Sequence, residues 1–381
     1  MARQRKRGIR GAGSVFLRKD GRWEAKFKVE ETGKYKSLYA STEKEAYKML
    51  QDALLQQKQG ILATGPDQTV KQFLEYWLED VYKVYARLTT FRNARILVHK
   101  HLIPGLGHFK LQKLTTQQVQ SFYAKKLREG TTFSRLRNIN GALHTALEHA
   151  RRAKLVSINV CDDIRLPARE EPDRQFLTSE QAHLLLQKVK EHQLEMILIL
   201  ALATGMREGE LVGLRWSDVD LEAGMLRINR TVTYVTGHGN VEGEPKTAKG
   251  KRNIMLPPFV VVALKHHYTM QEKGRLEFGS TWIARDLVFP EKNGDFIVAN
   301  TLLRRFHRLL KEIGLPRMRF HDLRHSTATL LLSMGVPLKV VQELLGHSSI
   351  DITANIYSHV LPSVHKDAMD KMGKFLDDGI S

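Results

Sequence analysis

Cysteine is nearly absent: a single one, Cys161, stands in 381 residues. An internal disulfide is excluded, and the usage fits a reducing compartment. Long apolar runs are missing too. The longest, MILILALA at 196–203, falls far short of the roughly 20 residues that cross a bilayer. No apolar segment follows the basic stretch MARQRKRGIR, so it does not read as a secretory signal. These absences leave an intracellular globular chain, expected in the cytoplasm with no membrane partner. Its length exceeds one average domain, so two or three are expected.

Acidic residues are scarce in one part of the chain only. Residues 1–62 hold 15 Lys/Arg against 7 Asp/Glu, and residues 69–165 hold 17 against 7. Residues 166–381 are nearly balanced, at 28 against 26, within a net charge of +19. Charge kept for solubility would be spread more evenly. The bias points to a polyanion gripped mainly by the N-terminal modules.

The pattern of elements is multidomain α+β. SVFLRK, RWEAKFKVE and KYKSLYAS read as three short strands, the first two joined by Asp20-Gly21. Thr42-Glu43-Lys44-Glu45 reads as a capping box opening a helix to about Gln59. A basic sheet with one helix is a way to place a β-face in a DNA groove. After the linker ILATGPDQT, the pattern from Thr69 to about Pro167 is helical throughout, a bundle with Lys and Arg on its outer faces. LPAREEPDR is a second linker. The last domain reads as mixed and mainly helical. EMILILALATGMREGELVGL is one helix, MLRINRTVTYV and KRNIMLPP are strands, and helices recur from NTLLRRFHRLLKEIG onward.

Chemistry concentrates in that last domain. Arg207 and Glu210 in ATGMREGEL fall three apart on one helix face, as do His321 and Arg324 in HDLRHSTAT. EPKTAKGKRNIMLPP offers Lys246, Lys249 and Lys251 along a basic hairpin edge. In LLGHSS, Gly346 reads as a helix-ending residue that exposes His347, and Tyr357 follows ten positions later. Two Arg, two His and a Lys make a cationic, donor-rich pocket. Guanidinium groups fork two donors onto phosphate oxygens at any relevant pH. A tyrosine hydroxyl is a covalent nucleophile, and a lysine at the rim can protonate a departing 5′-oxygen. His321 and His325 form HxxxH, but Asp322 stands where the zinc-protease version has Glu, which argues against a metal.

Together ATGMREGEL, PKT before a basic strand, HDLRH, LLGH and the Tyr ten residues on resemble the tyrosine recombinase family. The resemblance is to integrases of phages and of conjugative or integrative transposons, of the lambda-integrase type, and covers almost the whole chain. It implies a site-specific recombinase that cleaves and rejoins DNA through a 3′-phosphotyrosyl intermediate. Arg207 and Arg324 would then clamp the scissile phosphate, and His321 and His347 would support proton transfer and oxyanion binding. Lys246 would be the general acid, with Lys249 and Lys251 in reach of the same edge, and Glu210 would orient Arg207. Tyr357, rather than Tyr234 or Tyr268, would attack, since it alone follows the second His at the family's spacing. The resemblance further implies residues 1–62 as an arm-type DNA-binding domain, 69–165 as a core-type one, and 172–381 as catalytic. The partners implied are double-stranded DNA at attachment sites, three more copies in a homotetramer, and an excisionase or host DNA-bending protein. No metal, nucleotide or other cofactor is implied, and the expected setting is the nucleoid of a bacterial host. Val364, Ala368, Met372 and Leu376 recur every four residues, a stripe expected on a tail helix that exchanges into a neighbouring copy. A type IB topoisomerase, a metal-dependent transposase or nuclease, and a non-catalytic regulator are the competing readings. They lack, respectively, an arm-like domain, a placed carboxylate cluster in this sequence, and a reason for the pocket.

Overall fold

The computed structural model describes residues 13–30, 33–59, 62–65, 67–167, 176–245 and 250–346, with positions 369, 370, 372, 373 and 376 of the tail. Two compact units divide the chain, Met1–Glu171 and Pro172–Ser381.

The first unit holds two separate cores. β1 (Ser14–Leu17), β2 (Trp23–Lys28) and β3 (Tyr35–Ala40) form an antiparallel sheet in that order. Gly21, at φ +80°, supplies the left-handed residue the first hairpin needs. Alternation sorts the two faces of the sheet. Ala25, Phe27 and Ala40 bury against Ala46, Leu50 and Ala53 of α1 (Glu43–Lys58). Phe16, Lys26, Lys28, Tyr35 and Tyr39 lie on the opposite, exposed face. There Glu24 accepts from Arg18 Nη1 at 2.9 Å and Ser37 Oγ at 2.7 Å, while Arg18 and Arg22 both lie over the Tyr39 ring. Thr42 caps α1 as expected by accepting from the Glu45 amide. The Glu45 carboxylate, however, reaches back to Ser41 rather than to Thr42.

The second core is all helical. α2 (Val70–Tyr76) continues through a π-helical stretch, Trp77–Tyr82, into α3 (Lys83–Tyr85). α4 (Leu88–Leu97) passes through a second, Val98–Leu102, into α5 (Ile103–Leu106). α6 (Thr116–Arg128) and α7 (Phe133–Arg152) complete the bundle. Thr69 with Gln72, and Thr115 with Gln118, make reciprocal capping boxes that start α2 and α6. Phe73, Leu74, Trp77, Leu102 and Leu143 are fully buried, each contributing about 1.5–3 kcal/mol of apolar burial. Arg95, Lys100, Lys125, Arg128 and Arg135 stay on the surface. Cys161 closes this core; burial pushes its thiol up to about 12.

In the second unit, α8 (Ser179–Lys188) leads to α9 (Glu195–Thr204), which is apolar nearly all round and packs against later helices of its own unit. α10 (Glu208–Val212) follows. β4 (Val219–Asp220), β5 (Met225–Ile228) and β8 (Arg252–Met255) form one sheet in the order β4-β5-β8. β6 (Thr231–Val235) and β7 (Gly239–Gly243) form a separate hairpin. α11 (Pro258–Phe278), α12 (Ala299–Glu312), α13 (Asp322–Ser333) and α14 (Leu338–Leu345) complete the unit. α9 lies against α11 and α13.

Two sequence expectations are corrected here. EMILILALATGMREGELVGL is not one helix: Gly205 takes φ +61° and ends α9, so Arg207 becomes the extended residue that caps α10. MLRINRTVTYV is not one strand: it breaks at Asn229-Arg230, and its halves join different sheets. There Asp218 draws in both Asn229 Nδ2, at 3.0 Å, and Arg230 Nη1, at 2.6 Å.

Candidate active site

A helix leaves its last four carbonyls without partners, at the negative end of its dipole. At the end of α14 three of these are taken by three arginines from three different elements. Arg252 Nε, on β8, donates to the Leu344 carbonyl at 2.7 Å. Arg324 Nη2, on α13, donates to that of Leu345. Arg207 Nη2, at the start of α10, donates to that of Gly346 at 3.2 Å. Gly346 itself is the left-handed terminator expected from the sequence, at φ +66°.

Arg207 and Glu210 pair as expected, but not as neighbours on a helix face. Glu210 sits at the third position of α10, where its carboxylate accepts the Arg207 amide at 3.0 Å and Nη1 at 2.7 Å. The same carboxylate accepts Arg252 Nη2 at 3.0 Å and Nη1 at 3.3 Å. Glu210 is 2% exposed. Burial opposes its charge, but Arg252 and then Arg207 outweigh that and hold it below the usual carboxylate range. Next to Arg207, Glu208 shows the opposite balance: partly buried, with no ion pair among the described residues, it is raised by burial.

His321 stands at the entry to α13 and is exposed, whereas Arg324, one turn on, is buried and also donates to the Gly205 carbonyl at 2.7 Å. Surrounding protein, then the charges of Arg324 and Arg207, push the His321 imidazole down to about 4. The His325 ring stands perpendicular to it at 5.1 Å. Asp322, the residue between the motif's histidine and arginine, is buried and held by the Arg319 amide and guanidinium. Lys251 Nζ is exposed and donates to Glu244 Oε1 at 2.7 Å. Lys246, Lys249, His347 and Tyr357 lie outside the described residues. Arg207, Glu210, His321 and Arg324 therefore converge, and Arg252 joins them although no motif reading singled it out. Its only sequence signal was a basic residue opening a strand that runs into Pro257-Pro258.

Known proteins resemble this chain in sequence and in fold. Residues 175–363 match the phage integrase family, and residues 69–127 match the N-terminal SAM-like domain of phage integrases. A XerC-like tyrosine recombinase of Caldanaerobacter subterraneus subsp. tengcongensis is 31% identical over 366 residues, covering 90% of this chain and 93% of its own. An integrase of Streptomyces ambofaciens is 30% identical, with 98% of each chain covered. Among solved structures, the Tn1549 transposon integrase in complex with a circular intermediate DNA shares the fold at TM-score 0.69. Its identity is 22%, over 80% of this chain and 99% of that one. A lambda integrase dimer bound to a COC' core site shares it at TM-score 0.57 and 18% identity, over 90% and 94%. These matches define the class as DNA breaking-and-rejoining enzymes. The chain belongs to the phage integrase family of tyrosine recombinases.

Proposed function

We propose that this recombinase acts as the integrase of a mobile element, with Tyr357 as nucleophile and Arg207 and Arg324 as the phosphate clamp. The observation that carries the reading is the anchoring of the α14 terminus by arginines, since His347 follows Gly346 directly in the chain. Tyr357 Oη attacks the scissile phosphorus and forms a 3′-phosphotyrosyl bond while the 5′-oxygen leaves. The departing oxygen takes a proton from Lys246, with Lys249 or Lys251 as the alternatives on that edge. His321 offers a ring nitrogen to accept the tyrosine proton. His347 and the two guanidiniums meet the charge that builds on the non-bridging oxygens. Attack by the 5′-hydroxyl of a partner strand reverses the step, so the bond energy is conserved and no nucleotide is consumed.

The exposed face of the N-terminal sheet, with Arg18, Arg22, Lys26, Lys28, Tyr35 and Tyr39, suits an arm-type site, and the basic bundle suits a core-type site. Four copies on two duplexes is the assembly this reading needs, and one solved relative is a lambda integrase tetramer bound to a Holliday junction. Met372 and Leu376 of the tail stripe are helical and exposed, which supports exchange into a neighbouring copy. An excisionase or DNA-bending helper, and action at the bacterial nucleoid, complete the proposal. Among the described residues no helix is long and apolar enough to cross a membrane. The test is a nicked suicide duplex incubated in EDTA. Wild type should form a denaturation-resistant adduct at the 3′-phosphate, and Tyr357→Phe should bind the duplex and form none. Trapping by the Phe variant, or by wild type only with magnesium, overturns the reading.

A further inference from the structure

Arg252 is buried, at 7% side-chain exposure, while Arg207 keeps 36%. Of the two guanidiniums on Glu210, Arg207 is the more exposed. A carboxylate that orients an arginine also cancels its field: Arg207 with Glu210 alone sums to zero charge. A second guanidinium on the same carboxylate restores a net unit of positive charge. Arg252 sits in that position, with Nη1 and Nη2 on the two oxygens of Glu210. Its Nε donates to the Leu344 carbonyl at 2.7 Å and Nη1 also to that of Gly250 at 3.2 Å, so it is fixed from both sides.

We propose that Arg252 is a positioning residue for strand cleavage, compensating Glu210 so that Arg207 is held in place yet keeps its charge for the scissile phosphate. The proposal rests on the assignment of Arg207 to that phosphate. It makes Arg252 act through its neighbours, without touching DNA.

The experiment uses the full chain on a saturating nicked suicide duplex in single turnover, reading rate constant and amplitude separately. Arg252→Gln is expected to lower the rate constant about tenfold or more, less than the loss of a direct donor, with DNA affinity unchanged. Glu210→Gln combined with Arg252→Gln is expected to cleave faster than Arg252→Gln alone, because removing the carboxylate removes the uncompensated charge. On a duplex with an uncharged methylphosphonate at the scissile position, the Arg252→Gln defect should shrink to about twofold, since little charge is left to neutralise. Arg252→Lys, which keeps the charge, should fall nearer wild type than Gln and serves also if the Gln variant folds poorly. A lowered amplitude with an unchanged rate constant would mean that Arg252 only supports the fold. A double variant no faster than Arg252→Gln, an equal defect on methylphosphonate, or a Lys variant as slow as Gln also overturns the proposal. Arg207→Ala is the control for the underlying reading. If it cleaves normally, the phosphate assignment itself fails; if it is inert while Arg252→Gln is normal, only the role of Arg252 fails.

Discussion

Arg324 and Gly205 stand 119 positions apart, yet Nη1 of the first donates to the carbonyl of the second at 2.7 Å. The carbonyl faces the guanidinium because Gly205 takes a left-handed φ of +61°, and Leu345 closes in where a side chain would be. A Cβ at Gly205 would lie 2.3 Å from Leu345 Cδ2. Gly205→Ala is therefore expected to destabilise the second unit by about 1–3 kcal/mol, through backbone strain and displacement of Leu345. A melting midpoint lowered by several degrees, with slower cleavage, is the expected record; an unchanged midpoint would show that the contact is readily relieved.

The two arginines proposed to clamp the phosphate should fail differently. Arg207 is part-exposed and Arg324 is buried. Arg207→Ala should lose at least about 10²-fold in cleavage, near 3 kcal/mol, with the fold intact. Arg324→Ala should lose cleavage and also thermal stability, because it strips donors from the Gly205 and Leu345 carbonyls. Equal melting temperatures for the two variants would contradict the burial difference.

The pH dependence has a definite sign. Protonation of His321 is opposed by the folded protein, which moves its pKa from 6.5 to about 4. Its contribution to stability is whole above pH 6.5 and is lost as pH falls toward 4. His321→Gln has nothing to titrate there, so wild type should lose melting temperature more steeply between pH 6.5 and 4.5. Solvent at the exposed ring screens part of this, making the difference shallow. Parallel profiles would remove the assigned environment.

Deleting residues 1–62 should flatten the salt dependence of binding, because 15 cationic residues leave with the segment. Recombination of full sites should stop while cleavage of a short core duplex continues. Normal recombination by the truncated chain would remove the arm-binding role.

Truncation after Pro362 removes the apolar tail positions Met369, Met372 and Leu376, all exposed. Synaptic complexes should weaken on native gels while single-duplex binding stays nearly intact. Unchanged higher-order complexes would place the function of the stripe within one chain.

Chemistry was easier to read in this sequence than geometry. That Arg207, Glu210, His321 and Arg324 would lie together was legible from short local motifs, and the structure does bring them together; their roles remain the proposal made above. Gly346 was legible for a backbone reason, since a helix end of that shape favours glycine. Arg252 was not legible: its partners lie 42 and 92 positions away, and only the folded sheet brings them together. The start of α10 was misread because MILILALATGMREGEL keeps helical composition across Gly205, while packing of Leu345 dictates the break. α11 is not among the helices expected from the sequence, although it is the longest helix among the described residues, opening at Pro258 just after a strand. The π-helical stretches at Trp77–Tyr82 and Val98–Leu102 look like ordinary helix in sequence, since one extra residue per turn leaves composition unchanged.

The buried Cys161, its thiol near 12, is almost wholly protonated at neutral pH and shielded from reagents. The native protein is thus chemically silent toward thiol probes. A cysteine introduced on the outer face of the N-terminal sheet, at Tyr39 for instance, would be the one reactive sulfur in the molecule. A dye or thiol-bearing DNA attached there would report the position of that face directly, with no native residue first removed.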